Sequence, residues 1–236
     1  MRHAEFDKFA DEYLASHAAN VRIIGEDPAY FARYKIGELR RMWTQGRLVE
    51  PATILDFGSG IGASLPHLAV AFPGASLTAF DVSARSLAIA EGRFPNIATF
   101  VHGDDLAIFP KASFDLVFTS CVFHHIDEKQ HVDLFRQLHA LLRPNGAVVV
   151  FEHNPVNPIT RYIVATCPFD ENAVLIPSAV LTSRQREAGF KCIETRYTGF
   201  FPHALARLRW LEPYLSALPM GAQYYTTAHA LSLIHI

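Results

Sequence analysis

Long apolar runs are missing from this 236-residue chain. None approaches the roughly 20 residues that would cross a bilayer. The start, Met1-Arg2-His3-Ala4-Glu5-Phe6-Asp7-Lys8, has no apolar stretch of the secretory kind. Cysteine is scarce. Cys121, Cys167 and Cys192 stand far apart with no CxxC pair, which argues against a disulfide framework or a zinc ribbon and suits a reducing compartment. The cytoplasm is therefore the expected location, with no membrane partner. Charge of one sign is lacking too. Lys and Arg number 21 against 23 Asp and Glu, a formal net charge of −2, so electrostatics give no reason to expect nucleic acid as a partner. Arg40, Arg41 and Arg47 form the densest basic group and read as a solvated helix face. Internal repeats and low-complexity linkers are absent, and the expectation is a single domain over 1–236.

What is present is an alternation of strands and helices. Half of the residues are hydrophobic and 19% are charged, which suits a globular core. Residues 4–19 and 28–46 read as helices rich in aromatic residues, a helical cap over 1–48. Thr53-Ile54-Leu55-Asp56-Phe57 is a buried strand running into Gly58-Ser59-Gly60-Ile61-Gly62. Leu65, Leu68, Ala69 and Phe72 then fall on one helix face, with Pro66 in the first turn. Strands follow at 76–80, 98–101, 114–119 and 147–151. Helices are expected at 84–93 and along Val132, Phe135, Leu138 and Leu142, the latter stopped by Arg143-Pro144-Asn145-Gly146. A helix over 182–188, a strand over 192–197, a helix over 203–217 and a strand over 223–229 complete the pass. Such alternation predicts an α/β fold, a doubly wound, mostly parallel sheet of seven strands with N-terminal helices.

In a doubly wound sheet, ligands bind beyond the carboxyl ends of the strands. Gly58 and Gly60 let the backbone turn tightly and come close to a ligand. Asp81 lies 19 residues beyond Gly62, near the spacing of roughly 20 that sets a carboxylate on ribose hydroxyls. Asp104 and Asp105, at the end of the third strand, can accept from an adenine amine. These features describe an adenosine pocket. The glycine pattern also satisfies a loose dinucleotide motif, which leaves a NAD-dependent oxidoreductase as a second reading. Asp56 tilts the balance, because it suits an ammonium or a water held near a sulfonium and would repel a pyrophosphate. A Tyr-x-x-x-Lys pair is also lacking.

At this point the chain resembles the class I S-adenosylmethionine-dependent methyltransferases of the small-molecule type. The resemblance rests on the stretch from Ile54 to Gly62, Asp81-Val82-Ser83, Gly103-Asp104, Phe114-Asp115-Leu116-Val117-Phe118 and Leu141-Leu142-Arg143-Pro144-Asn145-Gly146. It implies a Rossmann-like sheet whose last strand is antiparallel, with residues 52–152 as the cofactor-binding core and 153–230 on the acceptor side. It also implies that Asp56, Gly58 and Gly60, with Phe57 and Ser59 between and beside them, surround the methionine part of the cofactor. Asp81, beside Val82, would take the ribose, and Asp104 or Asp105, beside Leu106, the adenine. Ser120 and Cys121 would line the methyl-donating side. Tyr13 would either close over the cofactor or pack as core. The resemblance further implies methyl transfer to a small-molecule acceptor. A non-catalytic module on the same fold is the third reading, and the intact acids and glycines speak against it.

A base, where an acceptor needs one, should sit beyond the fourth or fifth strand. The candidates are His124, His125, Glu152 and His153; the paired histidines can equally support their loop. Nothing in the sequence makes these side chains converge, so no metal is expected. Asn154-Pro155-Val156-Asn157-Pro158 has a faint likeness to the motif of DNA amino-methyltransferases, but it follows the wrong strand and reads as a turn. Tyr162, Phe169, Tyr197, Phe200, Phe201, Trp210 and Tyr214 either form a lid over an acceptor or pack the last helices, packing being the default. Residues 231–236 read as foreign or truncated sequence and receive no function.

Overall fold

The computed structural model describes residues 28–167 and 172–230. Tyr13, the helix expected over 4–19, Phe169 and residues 231–236 lie outside them. The described residues open with α1 (Pro28–Thr44), β1 (Thr53–Phe57), α2 (Leu65–Ala71), β2 (Ser76–Asp81), α3 (Ala84–Arg93) and β3 (Thr99–His102). It continues with β4 (Phe114–Ser120), α4 (His131–Leu141), β5 (Leu142–His153), α5 (Pro158–Thr166) and α6 (Ser178–Glu187). The last elements are β6 (Lys191–Thr198), α7 (Glu212–Leu215) and β7 (Gln223–His229).

The seven strands of the described residues share one sheet in the order β3-β2-β1-β4-β5-β7-β6. β7 pairs antiparallel with both β5 and β6, and the other pairings are parallel. This is the Rossmann-like sheet expected from the sequence. Strand order reverses between β1 and β4, which opens a crevice above their carboxyl ends. Both strands are short apolar runs because each face is covered. Leu55, Phe57 and Val117 meet Phe123, Phe135 and Leu138 on one face. On the other, Ile54, Leu116 and Phe118 meet Ile36, Leu39, Met42 and Leu68. Residues alternate between faces with the period of two that a pleated strand imposes.

The far end of the sheet is locked by one carboxylate. Asp115 Oδ2 accepts from the Ala52 and Thr53 amides and from Thr53 Oγ1, each at 2.9 Å, and pairs with Arg143 Nη1 at 3.1 Å. The motif pieces at 114–118 and 141–146 thus hold strands in register, remote from the crevice.

Three boundaries differ from the sequence reading. The segment 143–146 begins β5 rather than preceding it, with a register shift between Phe114 and Leu116 that absorbs the extra residues. α6 starts at Ser178, four residues earlier than the apolar pattern suggested, because Pro177 sets the entry. The helix expected over 203–217 is instead a tight 3-10 stretch, His203–Leu211, with non-helical backbone at Leu205, followed by the short α7. Pro213 has no N–H to continue the ladder, and it lies in the first turn of α7. Buried Glu212 fastens that segment by accepting from Tyr34 Oη at 2.5 Å and from the Gly199 and Phe201 amides. No described helix is long and apolar enough to cross a membrane.

Candidate cofactor and acceptor site

β1 ends in a turn that needs glycine. Gly58 has φ +72°, and a Cβ there would lie 2.4 Å from Val122 Cγ2, inside the loop that follows β4. Gly60 has φ +52°, yet a Cβ on it would meet nothing within 4 Å. The first glycine is thus fixed by packing. The second turns its backbone towards open space, as close approach of a ligand requires. Asp81 closes this loop from the end of β2. Its Oδ2 accepts from the Gly60 amide and its Oδ1 from the Ser83 amide, both at 2.8 Å. Burial pushes the Asp81 carboxyl up, against the pull of these amides.

Asp56 stands below the same loop, 3% exposed. Its Oδ2 is buried with no hydrogen-bond partner, and so is Ser59 Oγ. Burial, with Asp81 nearby, raises the Asp56 pKa to about 7. A buried acceptor without a donor is costly, and a cationic N–H group at this place would remove the cost. The donor set therefore fits an amino-acid ammonium. Phe57, by contrast, turns into the core and stacks on Phe80 at 5.7 Å, so only its backbone borders the loop. Val82 is half-buried, its carbonyl 3.2 Å from His102 Nε2. Asp105 Oδ1 accepts from the Ala107 amide, capping a short 3-10 turn that buries Leu106. Asp104 is exposed at the rim. Of the two acids, Asp105 is engaged in its own turn.

β4 delivers the other half of the site. Ser120 and Cys121 end the strand, and Cys121 is held at φ +59° with its amide donating to Phe151 O. Lys35, from the inner face of α1, donates to Ser120 Oγ at 2.6 Å and to Cys121 Sγ at 3.5 Å. Gln223 Nε2 reaches the same sulfur at 3.6 Å, and His153 stands near enough to act on its charge. Burial pushes the thiol up, but Lys35 and His153 outweigh it and bring its pKa to about 6. The four candidate bases divide here. His124 Nδ1 lies 2.5 Å from Glu152 Oε2 with both side chains buried, and Glu152 Oε1 also accepts from the Val122 and Phe123 amides. Burial pushes the Glu152 carboxyl up, and the opposing pull of His124 and its other donors leaves it below the ordinary range. The His125 ring lies tilted against that of His124, centroids 4.2 Å apart. Only His153 shares the Cys121 cluster. Among the described residues no group of three or more His, Cys, Asp and Glu could hold a metal.

Sequence reasoning missed Lys35 and Gln223. A signal existed for the first: Ala32, Lys35, Ile36, Leu39 and Met42 form the buried stripe of α1, and a lysine interrupts it. Packing, the default for the late aromatic residues, fails for three of them. Tyr162, Trp210 and Tyr214 are 64%, 67% and 80% exposed. Asn154 and Asn157 do shape a turn, Asn154 accepting from the Val156 amide and Asn157 capping α5.

Known proteins resemble this chain in sequence and in fold. Residues 54–146 match the family described as a methyltransferase domain. A trans-aconitate 2-methyltransferase of Methylobacterium nodulans is 28% identical over 75% of this chain and 74% of its own length. A second protein of that name, from Methylobacterium radiotolerans, is 27% identical over 61% of this chain, and the match spans 56% of its length. The structure of Haemonchus contortus phosphoethanolamine N-methyltransferase 2 in complex with S-adenosyl-L-methionine shares the fold, with a TM-score of 0.65, 19% identity and coverage of 96% of this chain and 60% of that one. In the match over 54–146, in these relatives and in its sheet order, the chain is similar to the class I S-adenosylmethionine-dependent methyltransferases.

Proposed function

We propose that this enzyme holds S-adenosylmethionine over β1, β2 and β3 and passes its methyl group to a small-molecule acceptor seated over β4, β5 and β7. The observation that carries the reading is Asp56 Oδ2, buried and without a donor beneath a glycine loop that Asp81 ties shut. Asp56 would take the ammonium of the methionine part, the Gly60 backbone would pass alongside it, and Asp81 would accept from the ribose. Asp104 or Asp105, beyond the end of β3, would accept from the adenine amine, Asp105 also capping its own turn. The bound cofactor supplies an electrophilic methyl group, so the protein's work is alignment and exclusion of water. Ser120 and Cys121, set by the end of β4, would border the methyl group. His124 and Glu152 hold each other and the turn beyond β4, a supporting role. The relatives named for trans-aconitate, a small carboxylic acid, favour a small molecule as acceptor.

Parallel calorimetric titrations with S-adenosylmethionine, S-adenosylhomocysteine and NAD test this. Heat from the first two alone is expected. Binding of NAD alone, or of none of the three, would contradict it.

A further inference from the structure

Lys35 is a cation kept from water with no described carboxylate beside it. The residue is 7% exposed, and its partners among the described residues are the Ser120 hydroxyl and the Cys121 sulfur. Among the described residues no carboxylate pairs with it; Glu38, one turn on, is engaged by Arg41 at 2.8 Å. An ammonium has three donors, so one is left. Burying an ammonium is expensive unless its donors are filled, and an arriving carboxylate would take the remaining one beside Ser120 and Cys121. Gln223 Nε2 and His153 bring further polar groups to the same point. The cluster lies over β4, β5 and β7, whereas Asp56, Asp81 and Asp104 lie over β1, β2 and β3. In the observed strand order these are opposite sides of the crevice.

We propose that Lys35 seats a carboxylate of the methyl acceptor, and that the acceptor is a carboxylic acid methylated as its anion. The proposal rests on the cofactor reading above. In the step it describes, a carboxylate oxygen bonds to the methyl carbon as the carbon–sulfur bond breaks. The electron pair of that bond returns to sulfur, and no proton moves. One negative and one positive charge vanish together, which a site shielded from water favours. No general base is required, in keeping with His124 being buried against Glu152.

Cys121 is a built-in reporter of this preference. Iodoacetate and iodoacetamide alkylate a thiolate in the same way, sulfur displacing iodide, but only the first carries a carboxylate. Rates at Cys121 are read by peptide mass against exposed Cys192 in the same tube. The iodoacetate-to-iodoacetamide ratio is expected to be about tenfold higher at Cys121 than at Cys192. Lys35→Met should reduce it to the Cys192 value, and Lys35→Arg should keep it. Equal ratios at the two cysteines in the unaltered protein, or a ratio that Lys35→Met leaves intact, would overturn the proposal. Failure of both reagents to reach Cys121 while Cys192 is consumed would do so too, since no small anion would then enter.

Affinity for S-adenosylhomocysteine identifies whose carboxylate is held. Lys35→Met should change it by less than about twofold, and a loss of about tenfold would assign Lys35 to the cofactor's own carboxylate and overturn the acceptor role. An unaltered protein that bound no S-adenosylhomocysteine would defeat the cofactor reading instead, while the alkylation ratio would still report on Lys35.

Discussion

His124 Nδ1 and Glu152 Oε2 stand 2.5 Å apart, the histidine 2% exposed and the carboxylate not at all. With the Val122 and Phe123 amides also donating to Glu152, the pair pins the turn that follows β4. That turn places Val122 against Gly58, so a buried contact beyond β4 sets the shape of the glycine loop. His124→Ala would leave a buried carboxylate short of its cation, a loss of about 3–5 kcal/mol or roughly 10 °C in melting temperature. The pH response should also reverse. In the unaltered protein the Glu152 carboxyl lies below its ordinary 4.5, so its contribution is present above that value and lost as pH falls through the lower, folded one. In the variant, burial without His124 raises the carboxyl, and stability should decline as pH rises. Melting curves at pH 5 and pH 7.5 check this, with turnover of the folded protein as the control. A drop in kcat of about a hundredfold or more at unchanged melting temperature would make His124 a base instead.

Gly58 and Gly60 share a positive φ but not their surroundings, and alanine should separate them. Gly58→Ala forces a Cβ to 2.4 Å from Val122 and should lower stability severely. Gly60→Ala meets open space, so it should cost only the backbone strain of about 1–2 kcal/mol. Its effect on S-adenosylhomocysteine should be larger, because the added methyl group fills the ligand's path. Chemical denaturation and calorimetry on both variants read the contrast. Unimpaired binding by Gly60→Ala would remove the loop from the site.

Asp81→Ala deletes two charge-assisted hydrogen bonds to backbone amides and should destabilise the fold by about 2–4 kcal/mol. The circular dichroism spectrum should persist. Affinity for S-adenosylhomocysteine should fall by about a hundredfold, the loss of a bidentate ribose contact. An unchanged dissociation constant would contradict the ribose assignment.

The sheet was legible in the sequence because its signals are local. Thr53–Phe57 and Gln223–His229 have the boundaries their apolar runs suggest, and glycine marks the turn after β1. The segment 203–217 misled because a helical apolar pattern hides the break at Leu205 and the new start at Pro213. For the candidate site, the acids and glycines were visible since each stands at a strand end, where period and turn residues announce it. Lys35 was not, because its role comes from α1 crossing to the end of β4, 85 residues away. Likewise, only the β5–β7 register puts Gln223 opposite His153. The partition among His124, His125, Glu152 and His153 depended on which side of β5 each faces. Spacing alone could not divide them.

Asp56→Asn is the measurement that bears most directly on the cofactor site. Folding raises the Asp56 pKa from 3.8 to about 7, so the neutral form is the one the fold prefers. Its contribution is whole below about pH 3.8 and lost as pH rises through 7. Above that, the unliganded protein carries a buried anion, and asparagine would remove it. At pH 8 the variant should therefore melt higher than the unaltered protein while binding S-adenosylhomocysteine at least about tenfold more weakly, having lost the charge that meets the ammonium. A variant that binds as tightly as the unaltered protein at pH 8 would contradict the assignment of Asp56 to the cofactor.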